Sequence, residues 1–337
     1  MRVVPLILQL IAIAGHAQTP PRPPIAPPGR LVDLGGWRLH IHCSGQVAAS
    51  WPAVVLEAGA GDFSVDWSLV QPLVARFARV CSYDRAGAGW SDLGPRPRTM
   101  QQQVWELHAL LEGAGEKPPF VLVGHSYGGW LVRLFAEKYA AEVAGVVLVD
   151  AGAEDPVRVL ADGKMTRASE LAKGQPVPPV KTSDPLRESD IPPRIISLIE
   201  SGIRAMTGHF NDSPRDKLPP EAQRMREWSL SQIKHAASND NPFEAEELAT
   251  MLVERRKKQT VLADLPLMVV SRGLPDEDGP QAAQREEAHR RDQAALVTFS
   301  SRGKQIIAAK SGHHVPIDEP NVVASAIREI LQAARPR

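Results

Sequence analysis

The chain has 337 residues, enough for one large domain or two smaller ones. Its 39 basic and 39 acidic residues balance, and 43% of its residues are hydrophobic. That composition excludes an acidic tail, a disordered chain and an electrostatic nucleic-acid binder, and no internal repeat breaks it up.

In chain order, Arg2 precedes an apolar stretch from Val3 to Ala14, and Gly15-His16-Ala17 offers small residues at both cleavage-side positions. This pattern predicts a signal peptide over 1–17 and export to the periplasm or the medium. The stretch is shorter than the roughly 20 residues of a membrane span, so no stable span is expected; an uncleaved anchor is the alternative. Residues 18–30 are proline-rich and read as an extended linker.

Arg30 to Gly45 reads as a hairpin turning at Gly35-Gly36. Ala53 to Asp62 is an apolar strand with a glycine-rich exit, followed by a short helix. Arg79 to Asp92 repeats the strand and glycine-rich exit. Thr99 caps a helix with Val104, Leu107, His108 and Leu111 on one face. Phe120 to Val123 is a buried strand, and Leu131, Leu134 and Phe135 lie at helical spacing beyond it. Val143 to Gly152 is a further strand. The alternation then stops: residues 154–261 show prolines, charges and helical segments, with no strand expected. One of those helices places Ile195, Ile199, Ile203, Met206 and Phe210 on one face, and Asn241-Pro242 opens another. The basic run Arg255 to Lys258 reads as a solvated helix end. Leu265 to Gly273 resumes the strands, followed by a polar helix, a last strand and a last helix. Alternating strands and helices build a mostly parallel sheet flanked by helices. Residues 31–153 and 262–337 form that core, and 154–261 form an inserted helical cap.

Open sheets of this kind bind ligands at the carboxyl ends of their strands. There the chain places Gly59-Ala60-Gly61-Asp62, Asp84-Arg85, Ser126, Asp150, Asp276-Glu277-Asp278 and His313-His314. Gly124, Ser126 and Gly128 form G-x-S-x-G, a pattern that about one chain in ten of this length holds by chance at ordinary glycine frequency. Its position between a buried strand and a helix gives it meaning. A serine on such a turn is pushed outward beside free backbone N–H groups. Serine is a poor nucleophile until a base takes its proton, and the base needs an acid to orient it.

Gly124-His125-Ser126-Tyr127-Gly128, together with "SGHHVPIDEPNVVASAI" and "SRGLPDED", resembles the α/β-hydrolase superfamily from about Leu31 onward. "YDRAGAGWSD" resembles a loop common in that family. The resemblance implies Ser126 as nucleophile, His313 as base and Asp276 as acid, with Asp150 as the alternative acid. It implies an oxyanion hole from the N–H groups of Ala60 and Tyr127, with Gly61 as the alternative to Ala60. The chain departs from many relatives by having Glu57-Ala58-Gly59-Ala60 where they have His-Gly. In this fold the second and fourth strands are neighbours, so Cys43 and Cys81 are expected to pair if the chain is exported.

The other chemistry-bearing residues have plainer roles. His40 and His42 share a strand face but lack a third ligand, so no metal is expected. His125 and His314 read as packing groups, Asp84-Arg85 as a structural ion pair, and Trp67 and Trp130 as core or pocket wall. No GxGxxG follows a strand, and no cofactor is expected. The implied function is cleavage of carboxylic esters. The alternatives are an aminopeptidase or amidase on the same groups, and a non-catalytic binding protein. The implied partner is a small-molecule ester or amide, not nucleic acid. An aspartate nucleophile, needed for dehalogenase or epoxide-hydrolase chemistry, is absent from position 126.

Overall fold

Gly35 and Gly36 sit at φ 103° and 115°, where a side chain would clash with its own backbone. They turn β1 (Arg30–Asp33) back antiparallel onto β2 (Arg38–Ser44), as the glycine pair predicts. The computed structural model describes residues 25–46, 51–160, 162–238, 241–257, 262–276 and 282–334. The expected signal peptide, most of the expected linker, Lys258, Glu277 and Asp278 lie outside the described residues.

The chain then runs β3 (Ala53–Glu57), α1 (Gln71–Ala75), β4 (Val80–Tyr83), α2 (Met100–Gly113), β5 (Phe120–His125), α3 (Gly128–Lys138) and β6 (Val143–Val149). An inserted region follows. It holds β7 (Val157–Val159), β8 (Met165–Arg167), α4 (Pro193–Met206), α5 (Pro220–Leu230), α6 (Ile233–Ala237) and α7 (Glu244–Lys257). The core resumes with β9 (Leu267–Arg272), α8 (Ala282–Val297), β10 (Gly303–Ala308), α9 (Val315–Asp318) and α10 (Pro320–Ala333). Eight strands form one sheet in the order β1-β2-β4-β3-β5-β6-β9-β10. The β1–β2 and β2–β4 pairs are antiparallel, and the rest are parallel.

The central strands read as unbroken apolar runs because helices cover both faces of the sheet. Side chains alternate between those faces. Phe120 and Leu122 of β5, Val146 and Leu148 of β6, and Leu267 and Val269 of β9 pack on the side of α2 and α3. Val121, Val123, Val147, Val149, Met268 and Val270 pack on the side of α1 and α10. Burying one such side chain contributes roughly 1.5–3 kcal/mol, so one polar replacement in β5 would undermine the strand that carries Ser126. Among the described residues no helix is long and apolar enough to cross a membrane.

Cys43 and Cys81 stand directly opposite each other in the β2–β4 register and are joined by a disulfide. This is the pairing expected of neighbouring strands. Replacing both cysteines by serine should cost about 2–4 kcal/mol of stability, since the bond closes a loop in the unfolded chain. Denaturant titration checks this; an unchanged midpoint would contradict it.

Two features of the inserted region differ from expectation. Val157–Val159 and Met165–Arg167 pair as a two-stranded hairpin where no strand was expected. Three residues are too few for an alternating pattern to register. On α4, Ile196 and Ile199 pack inward, while Ile195 and Met206 of the expected face are exposed.

Buried ion pairs fasten the inserted region to the residues beside the sheet. Arg226 of α5 hydrogen-bonds Asp66 and lies 3.2 Å from Asp62, and Arg215 Nη2 donates to Asp62 Oδ1 at 3.1 Å. Arg226→Ala would leave Asp62 with Arg215 but strip the buried Asp66 of its close cation, and should cost about 3 kcal/mol. The readout is the thermal midpoint of the whole chain. A midpoint equal to the parent's would show that this pair does not secure the inserted region.

Candidate active site

The site begins with two strained residues on adjacent strands. Ser126, just past β5, has φ 51°, and Asp150, just past β6, has φ 38°. Both are left-handed positions that non-glycine residues rarely occupy, and such strain concentrates at functional sites. The sheet enforces both. Ser126 N–H donates to Val149 O at 3.1 Å, Asp150 N–H to Val270 O at 2.7 Å, and Gly152 N–H to Ser126 O at 2.8 Å.

The flanking glycines are required by close packing. A Cβ on Gly124 would lie 2.5 Å from the Gly128 carbonyl oxygen. A Cβ on Gly128 would lie 2.6 Å from the Glu57 carbonyl oxygen. The helix carrying the turn can approach β3 and β5 this closely only without side chains there.

His313, in the loop between β10 and α9, completes the cluster. Its Nε2 lies 2.9 Å from Ser126 Oγ, and its Nδ1 lies 2.7 Å from Asp150 Oδ2. The hydroxyl thus faces a base, and the base is oriented by a buried carboxylate. This is the arrangement that activates a serine for acyl transfer. The N–H groups of Ala60 and Tyr127 donate no hydrogen bond among the described residues, leaving both available to an oxyanion.

A model of the Alpha/beta hydrolase family matches residues 39–326. The chain belongs to that family. This hydrolase is 25% identical over 293 residues to the uncharacterized protein YqjL of Bacillus subtilis, covering 87% of this chain and 88% of the relative. Its fold is shared with a thermophilic esterase from Thermogutta terrifontis, at a TM-score of 0.56 and 18% identity over 89% of this chain and 95% of the esterase. An enol-lactonase from Burkholderia xenovorans superposes at a TM-score of 0.60 and 16% identity, over 90% of this chain and all (100%) of the lactonase.

The structure departs from the first expectation for the acid. Asp150, not Asp276, faces the imidazole of His313. Asp276 is exposed, and its Oδ1 lies 3.3 Å from the His313 backbone nitrogen. The reason is Arg272, the last residue of β9. Its backbone N–H donates to Asp150 Oδ1 at 3.0 Å, and its Nη1 to Asp150 Oδ2 at 3.1 Å. His289 of α8 adds Nε2 at 2.9 Å from Asp150 Oδ1. Burial opposes the charge on Asp150, but His289 and His313 outweigh it and hold the carboxyl far below its usual range.

Sequence reading missed Arg272 and His289, and also Glu57 and Arg85. Arg85 does not pair with Asp84, as the sequence suggested. Its Nη1 donates to Glu57 Oε1 at 2.6 Å and to the Ala58 carbonyl at 2.7 Å, and its Nη2 to the Gly59 carbonyl. Arg85 therefore fixes the backbone that presents Ala60. Asp84 instead meets His40, Oδ2 to Nδ1 at 2.9 Å, inside the core. The only signal in the sequence was the charged pair at a strand exit.

His125 packs beside the turn as expected. Its Nε2 donates to the His313 carbonyl at 2.9 Å, and burial lowers its pKa to about 3, so it is neutral. His314 lies beside it, lowered to about 4, first by burial and then by Arg215. Asp62, His125 and His314 bring donor atoms within 4.8 Å of one another. Arg215 and Arg226 already neutralise Asp62, which weakens that cluster's claim on a cation. Trp130 and Trp67 are both core, and Trp130 donates Nε1 to the Ala153 carbonyl at 2.7 Å.

Proposed function

We propose that this hydrolase cleaves carboxylic esters through an acyl-enzyme on Ser126. The observation that supports this most is the continuous line from Ser126 Oγ through His313 to Asp150, at 2.9 and 2.7 Å. Ser126 Oγ attacks the acyl carbon while His313 Nε2 takes its proton. The two N–H groups of Ala60 and Tyr127 hold the oxyanion. The bond from acyl carbon to alkoxy oxygen breaks, and the proton passes from His313 to the leaving alcohol. Water then gives a proton to His313 as its oxygen attacks the acyl carbon; the bond from acyl carbon to Oγ breaks, and His313 returns that proton to Ser126 Oγ. Asp150 keeps Nδ1 protonated and stabilises the imidazolium.

A fluorophosphonate that mimics the tetrahedral intermediate tests this directly. It should add one adduct per chain, on the peptide containing Ser126. An adduct elsewhere, or none, would overturn the reading.

The base works only when neutral. Burial opposes a charge on His313, but the hydrogen bond and charge of Asp150 prevail and raise its pKa above 6.5. A raised pKa keeps the base protonated to higher pH. Ester hydrolysis should therefore rise with pH through a midpoint above 6.5 in kcat/KM. A midpoint below that value would contradict the pairing.

We infer as well that the chain is exported from the reducing cytoplasm. The Cys43–Cys81 disulfide and the apolar N-terminal segment support this together. Sequencing the N-terminus of the exported protein should begin at Gln18. A cytoplasmic chain that retains Met1 would refute export.

A further inference from the structure

A cavity of about 380 Å³ opens beside Ser126 and His313, between the cap hairpin and α8. Its wall combines two chemistries. Pro156, Val157, Val159 and Met165 supply apolar surface. Arg167, which stands opposite Val157 in the hairpin, supplies a cation together with Arg272, Arg285 and Arg291, against two carboxylates, Asp150 and Asp292.

Asp150 is not available to a ligand, and Asp292 has a cation beside it. Asp150 is held by His313, His289 and Arg272. Asp292 lies 3.5 Å from Arg167. Arg272 is doubly engaged, by Asp150 and by Glu286. Arg167 and Arg291 differ from it. The Arg167 side chain is 40% exposed; its Nη1 donates to the Asp155 carbonyl at 2.7 Å, and its one ion pair among the described residues is that longer contact. Arg291 is exposed and makes no ion pair among the described residues. A guanidinium at a cavity wall offers a planar fork matched to a carboxylate. An amine would meet Asp292 alone, beside Arg167 and among four guanidinium groups.

The geometry points to a substrate whose acyl part ends in a second, free carboxylate: a half-ester or lactone of a dicarboxylic acid. Its methylene chain lies along Val157, Val159 and Met165, and its terminal carboxylate faces Arg167 and Arg291. The ester carbonyl is left at Ser126. This deepens the proposed esterase activity and rests on it.

The test compares two esters of equal chain length on the full chain: mono-4-nitrophenyl glutarate, which is anionic, and 4-nitrophenyl pentanoate, which is neutral. The anionic ester should have the higher kcat/KM by about 10-fold or more, the scale of a charged hydrogen bond. That ratio should fall as salt screens the cations. It should collapse toward one in the double variant Arg167→Gln, Arg291→Gln. Arg302→Gln, beside the opposite end of β10 from the site, should keep it. A ratio at or below one in the parent, with hydrolysis dependent on Ser126, would overturn this inference alone. A ratio that survives the double variant would also overturn it. Hydrolysis of neither ester would overturn the esterase reading beneath it.

Discussion

Ser126→Ala should reduce turnover on a 4-nitrophenyl ester by about 10³–10⁶-fold while leaving the fold intact. The substitution removes one oxygen that lies 2.9 Å from His313 Nε2. It also leaves a methyl group at a left-handed backbone position, with φ 51°, that serine already occupies. Alanine there carries the same Cβ, so no new backbone strain is added. The thermal midpoint should therefore stay close to the parent's. Residual rate above buffer would come from binding and the oxyanion N–H groups alone. Retention of a tenth or more of parental turnover (a rise of about 1.4 kcal/mol or less in the barrier) would mean that another group attacks the ester. A collapse of both activity and melting temperature would leave the serine's chemistry unseparated from its packing. The fluorophosphonate adduct on the parent chain then decides the matter independently.

The parts of this molecule legible from sequence are those buried on both faces. Phe120–Val123, Val146–Val149 and Leu267–Val270 read as strands because every residue in them is apolar. That follows from helices lying on both sides of the sheet. The serine turn was legible because steric demand leaves a trace in composition: Gly124 and Gly128 must lack side chains. The cap was less legible. Its hairpin is two strands of three residues, and the apolar face of α4, which runs through Ile195, Ile196, Leu198, Ile199, Ile203 and Met206, is wider than the part of it that packs inward. Periodicity alone did not decide which of Ile195, Ile196 and Ile199 face inward. The acid was illegible for a different reason. Asp150 and Asp276 both follow strands, and sequence offers no way to weigh them. What separates them is a set of donors from β9 and α8, which only the folded sheet brings beside β6.

That separation gives the second large effect. Asp150→Asn should lower kcat by about 10⁴-fold, whereas Asp276→Asn should change it only a few-fold. An amide at position 150 no longer stabilises the imidazolium, and its N–H₂ can turn toward His313 Nδ1 and force the proton onto Nε2. His313 would then present a donor, not an acceptor, to Ser126. The pH profile carries a second mark. Asp150 is what raises the His313 pKa, so in the asparagine variant any remaining rate should rise with pH at a lower midpoint. Merely structural damage would scale the rate without moving the midpoint. Asp276 gives no such expectation, because it is exposed and meets the His313 backbone nitrogen, not its ring. Equal losses in the two variants would mean that the exposed loop closes over His313 during catalysis. A large loss in Asp276→Asn alone would return the acid to β9. If Asp150→Asn destabilises the chain through Arg272, Arg272→Lys separates the effects. It removes the guanidinium from Asp150 while leaving the carboxylate on His313, so it should preserve most of the rate. The acid of this site is thus defined by what its carboxylate touches. Asp150 is buried and aimed at the ring nitrogen, with a second histidine and an arginine holding it in place.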